Sequence, residues 1–158
     1  MPVVSVAAVG PYEETMQEAW EHLRSLLIRH GARDDCKPVF ALLRDMPHEV
    51  PAEMRRLELC AQINDGTRRK LEAEATIQTF AGGSYLTTTH RGGYTVLPRV
   101  FGQMYAACSL DMSIALDSTR PRVLIFNGDP AILPAEDLIA ELGMPVVDHA
   151  PDRPRRAA

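Results

Sequence analysis

The chain has 158 residues with a formal net charge of −4, enough length for one packed core of ordinary composition. That acidic balance argues against nucleic acid as the main partner, because phosphate binding wants a basic surface. Cys36, Cys60 and Cys108 form no Cys-x-x-Cys pair and read as free thiols of a cytoplasmic protein. The first residues lack a charged-then-apolar pattern, so no signal peptide is expected, and no apolar run approaches the roughly 18 residues a bilayer requires, so no membrane partner is expected.

In chain order, the β-branched apolar run Val3–Val9 predicts a strand that Gly10-Pro11 ends. Glu13 and Glu14 then open a helix over about 12–30, where they complement the positive end of its dipole. Met16, Ala19, Trp20, Leu23, Leu26 and Leu27 recur at three- and four-residue spacing and form its buried face, and Gly31 is the stop. Strands are expected at about 38–44 and 56–63, separated by a proline-punctuated loop. Asn64-Asp65-Gly66 reads as a turn, and the polar run through Glu74 as a loop or ragged edge.

A short strand near 75–80 and another at Ser84–Thr89 begin the pattern again. A second helix carries Leu97, Val100, Phe101, Met104, Tyr105 and Cys108 on one face, with Pro98 in its first turn. Strands at about 121–127 and 138–146 follow. Residues 148–158, rich in Pro and Arg, read as a flexible tail.

The two halves are related. Shifted by 83 positions, Pro38–Ile63 falls on Pro121–Val146 without a gap, with seven identities that include Pro47/Pro130, Pro51/Pro134, Glu58/Glu141 and Leu59/Leu142. Gly-Pro-Tyr at 10–12 likewise falls on Gly-Gly-Tyr at 92–94 at an offset of 82. A duplicated β-α-β-β unit implies two lobes about a pseudo-two-fold axis, and a seam where a ligand can sit. The expected fold is therefore α+β. One domain over 1–147 would hold units of about 1–74 and 75–147, with an antiparallel sheet, two helices on one face and a pocket between the units.

These features resemble the GyrI-like, or AraC-type effector-binding, family of bacterial proteins. The carriers are VAAVGPYEE and AWEHL in the first unit, His90–Tyr94 (HRGGY), Asp129-Pro130 with Pro134-Ala135-Glu136, and the closing ELGMPV. The resemblance implies an apolar pocket between the units that takes lipophilic, often cationic, drugs, and it implies no cofactor. It also implies relatives that inhibit gyrase and relatives that hydrolyse cyclopropane-bearing genotoxins. The chain opens on its first strand, so a stand-alone member without a DNA-binding domain is expected. The family's pocket acid maps onto Glu141. Its Glu-x-Tyr on the preceding strand falls on Leu124-Ile125-Phe126, where that acid and hydroxyl are missing, which weighs against hydrolysis.

Glu141 is the leading candidate on its own chemistry, since a carboxylate among apolar strand neighbours is costly unless something positive meets it. Charged, it would pair with a cation; with a raised pKa, it would serve as a general acid or base. Pointing to the other face, it would simply be solvated. Glu58 is its repeat partner. Trp20, Phe101, Tyr105 and Phe126 are aromatic candidates for the pocket wall, although Trp20 and Phe101 equally suit the core. Tyr12 and Tyr94 follow the paired glycines as turn anchors or residues of the pocket mouth.

The five histidines are scattered and show no metal-ligand spacing, so no metal is expected. No cysteine has a His-Asp partner signal, and the glycine pairs open no phosphate loop. Three functions follow: binding or sensing of a small lipophilic drug or toxin, hydrolysis of a strained electrophile with Glu141 activating water, or interaction with a protein partner such as gyrase or a regulator.

Overall fold

A computed structural model describes residues 1–130 and 132–148. The expected tail, from residue 149 onward, lies outside the described residues. The first unit is built from strand β1 (Pro2–Val9), helix α1 (Tyr12–Arg29), β2 (Val39–Leu43) and β3 (Arg56–Gln62). Helix α2 (Asp65–Leu71) and strand β4 (Thr76–Thr79) lead to the second unit: β5 (Tyr85–Arg91), α3 (Leu97–Leu110), β6 (Arg122–Phe126) and β7 (Ile139–Pro145).

The helix ends follow from their local chemistry. Glu13 and Glu14 occupy the first turn of α1, and Gly31 closes it with a φ of 60°. The Gly31 N–H donates to Ile28 O and the Ala32 N–H to Leu27 O, at 3.0 and 2.9 Å. This paired closure satisfies carbonyls that would otherwise lack donors. The polar run after Asn64 differs from the expected loop: it forms α2. Asn64 caps this helix by accepting the Thr67 N–H at 2.8 Å, and Thr67 and Leu71 are buried beneath it. A side-chain oxygen at that position serves a helix start as well as a turn, and burial of Leu71 decides between them.

The seven strands form one antiparallel sheet in the order β4-β1-β3-β2-β6-β7-β5. The units join through β2 and β6, where Phe40 faces Ile125, Ala41 faces Leu124 and Leu42 faces Val123. Ala41 and Leu124 are equivalent positions of the repeat, 83 apart, so the pseudo-two-fold axis passes between them. Strand β4 extends the first unit by pairing with β1.

Both long helices pack on one face. There Val4, Leu43, Leu57, Leu59, Leu124 and Leu142 bury against Met16, Leu23, Leu97 and Phe101. The other face buries Val3, Phe40, Leu42, Cys60 and Val123, packed against Phe80 from the connection between β4 and β5 and against Tyr85 at the start of β5. Arg120 ties that connection down by donating to Gly82 O, Ser84 O and Val146 O. No helix among the described residues is long and apolar enough to cross a membrane.

Candidate ligand-binding site

Residues Trp20, Leu23 and Leu27 stand at i, i+3 and i+7 on α1 and so share one face. Val39 begins β2 and Phe126 ends β6, both on the helix-bearing face of the sheet. With Ile132 from the following loop, they enclose a cavity of about 630 Å³ at the seam between the units. Trp20 and Phe126 meet edge to face, with ring centroids 5.3 Å apart at 75°. Tyr94 packs on the same Phe126 ring at 5.9 Å and 81°. Such edge-to-face contacts favour a fixed aromatic wall.

The polar lining is mixed. Arg24, Arg33 and Lys37 line the cavity together with Asp34 and Asp129. Arg24 Nη1 lies 3.9 Å from Asp129 Oδ2, a loose pair. Two aromatic groups here lack a hydrogen-bond partner among the described residues: the buried indole Nε1–H of the lining Trp20, and the buried hydroxyl of Tyr94, which packs behind Phe126 and does not itself line the cavity. Burial, and after it the charge of Asp129, pushes the Tyr94 phenol well above its ordinary value. Cys36 also lines the cavity, and burial raises its thiol, so it stays protonated and weakly nucleophilic.

The residues singled out from sequence divide among three places. Trp20, Phe126 and Tyr94 gather at the seam. Phe101 is fully buried in the core and lines no wall. Tyr12 is buried near the equivalent position of the first unit, with its hydroxyl donating to Asp45 O at 3.3 Å. Tyr105, expected on the buried face of the second helix, is 41% exposed at the rim of a second, smaller cavity, against His48.

Glu141 and Glu58 lie on the sheet face away from the helices. Glu141 stands in register with Thr89 and Ile125, and Ile125 belongs to the cluster on that face. Glu58 accepts from Arg44 Nε at 3.0 Å and from Gln78. The sheet therefore separates both carboxylates from Trp20 and Phe126. The physical reason is strand alternation: Ala140, Leu142 and Met144 take the helix-facing positions of β7, leaving Glu141 to the opposite face. Arg24, Val39, Asp129 and Ile132 were not singled out as site residues, although the Asp129-Pro130 motif is a sequence signal in that loop.

No curated protein matches the chain. Among solved structures, the chain is similar to a hydrolase from Listeria innocua at a TM-score of 0.63 and 15% identity. That alignment covers 93% of this chain and 87% of the other. A second Listeria innocua hydrolase structure matches at 0.62 and 14%, with the same coverage. The structure of SAV2435 bound to tetraphenylphosphonium matches at 0.53 and 15%, covering 93% and 88%. These likenesses share the antiparallel sheet and its helices. The model of the GyrI-like small molecule binding domain matches residues 1–146, nearly the whole chain, and the protein belongs to that family.

Proposed function

We propose that the chain binds a lipophilic, aromatic-bearing small molecule in the seam cavity, and acts by sequestering or sensing a drug or toxin. The observation that carries this reading is the apolar wall of Trp20, Phe126, Leu23 and Leu27 around about 630 Å³. Ligand cavities run from roughly 300 to 1,000 Å³ and are mostly apolar with a few polar groups. Three basic against two acidic lining side chains support a neutral ligand.

The tetraphenylphosphonium held by SAV2435 supports a cation instead, for which Asp34 and Asp129 are the lining carboxylates. Tetraphenylphosphonium and neutral triphenylphosphine oxide form a matched pair, and a thermal-shift titration with each separates the two charge classes. A ligand at a hundred times its Kd stabilises by about 2.7 kcal/mol, several degrees for this size of domain. A larger shift with the oxide supports the neutral reading. A larger shift with the cation overturns it, and no shift with either sinks the seam cavity as a lipophilic site.

Hydrolysis of a strained electrophile such as a cyclopropane is the second reading, supported by the Listeria hydrolase structures. It would need a carboxylate to activate water. Asp129 lines the cavity with the Tyr94 phenol in its field, whereas Glu141 lies across the sheet. Ring-opened product detected by mass spectrometry, and lost in Asp129→Asn, would support this reading. Saturable binding without product leaves the first.

A further inference from the structure

The pseudo-two-fold axis that produces the seam cavity also produces a second one. It lies on the other side of the β2–β6 join, has a volume of about 230 Å³, and is lined by Met46, Tyr105, Leu116, Arg122 and Met144 among others. Many of its lining residues are the repeat equivalents of the first cavity's. Arg122 stands where the first has Val39, Arg120 where it has Lys37, Met46 where it has Asp129 and Glu49 where it has Ile132. At the first position of the central strand an aliphatic side chain is exchanged for a guanidinium, while Leu116 stands where the first cavity has Arg33.

That guanidinium is incompletely satisfied. Among the described residues its buried Nε has no acceptor, and its Nη2 donates to Leu43 O at a long 3.4 Å. The other two arginines of this cavity have carboxylate partners: Arg44 pairs with Glu58 at 2.8 Å and Arg120 with Asp117 at 2.8 Å. Asp45 is engaged by Arg56 at 2.7 Å. Glu49 and the Tyr12 phenol also lie in the field of Arg122, with Glu49 3.7 Å from His48. Among the described residues, no carboxylate comes within ion-pair distance of Arg122. Burial holds its pKa below the ordinary arginine value. A half-buried cation without a carboxylate partner loses part of its hydration uncompensated, and a planar guanidinium is shaped to take a carboxylate.

We propose that this smaller cavity is a second ligand site, which binds a small organic carboxylate with its charged head on Arg122 and its apolar body against Met46, Leu116 and Met144. The volume suits a molecule far smaller than the seam cavity's ligand, such as a single ring bearing a carboxylate. The site is independent of the lipophilic-ligand reading, because the two cavities share no lining residue.

Benzoate and its neutral isostere benzamide are the probes, titrated into the whole chain with amide and indole chemical shifts as the readout. Benzoate is expected to move resonances of Tyr105, Leu116 and Arg122 while leaving the Trp20 indole in place, with at least about tenfold tighter binding than benzamide. Arg122→Gln is expected to abolish that preference. Should Arg122→Gln fail to fold, Glu49→Gln decides. Its side chain is 66% exposed, and removing this like charge is expected to tighten benzoate binding about twofold or more. Equal affinities for the two probes, shifts centred on Trp20, or benzoate binding unchanged in the decisive variant would overturn the proposal.

Discussion

Trp20 from the first unit's helix and Phe126 from the second unit's central strand meet edge to face, 5.3 Å apart, and so tie the two repeats together at the wall of a cavity. Neither residue has an aromatic equivalent across the repeat, since Leu43 stands for Phe126 and Gly102 for Trp20. The tryptophan–phenylalanine pair stands on one side of the axis only, and the cavity it lines is the larger and more apolar of the two related ones.

Trp20 is the only tryptophan of the chain, so its emission reports on the seam cavity alone. A lipophilic ligand in that cavity is expected to shift or quench the emission in a saturable titration. Trp20→Ala is expected to weaken binding at least about tenfold. It is also expected to lower stability by about 2 kcal/mol, less than the about 3–5 kcal/mol of a fully buried tryptophan. Urea unfolding and calorimetric titration check the two halves of this prediction.

Glu141→Gln tests which side of the sheet the ligand uses. With the carboxylate facing Thr89 and Ile125, away from Trp20, its removal is expected to change affinity for a seam ligand by less than about twofold. A tenfold loss for a cation in the same titration would return Glu141 to the site.

Asp45 links acid stability to the loop beside the second cavity. Its carboxylate accepts from Arg56 N–H at 2.8 Å and from the guanidinium at 3.0 and 2.7 Å. These bonds hold its pKa below the usual carboxylate range. A depressed folded pKa gives stability that is complete above the unfolded value of about 3.9 and lost as pH falls through the folded one. Asp45→Asn is expected to cost about 1 kcal/mol at pH 7, discounted for the solvent around Arg56, and to flatten the stability profile below about pH 4. Denaturant midpoints measured from pH 2 to 7 check it.

Gly83 and Arg120 together fix the connection that covers the outer face of the sheet. Gly83 has a φ of 125°, and a Cβ there would overlap the Arg120 guanidinium. Gly83→Ala is therefore expected to cost about 1–3 kcal/mol in backbone strain and to displace the guanidinium from the carbonyls it serves. Hydrogen exchange should rise at Val146, whose N–H donates to Ser84 O, while α1 keeps its protection. Unchanged exchange at Val146 would show that the clamp does not hold this connection.

The sequence alone determined the two β-α-β-β units, because the signals involved are local: three- and four-residue spacing on α1, prolines at equivalent loop positions and glycine at the helix stop. Matching the repeat also placed Glu58 and Glu141 in equivalent strands, as the register has them. Local pattern did not determine the helix after Asn64, where a capping side chain and a turn signal look alike until Leu71 is seen buried. It did not determine which face of a strand the helices cover. Alternation divides residues into two sets, but only packing says which set meets α1 and α3, and that choice put Glu141 across the sheet from Trp20. The cavities were decided last, by pairing β2 with β6. A long-range ladder is the one contact that sets Val39 and Arg122 at equivalent places and lets their different chemistry make two different sites.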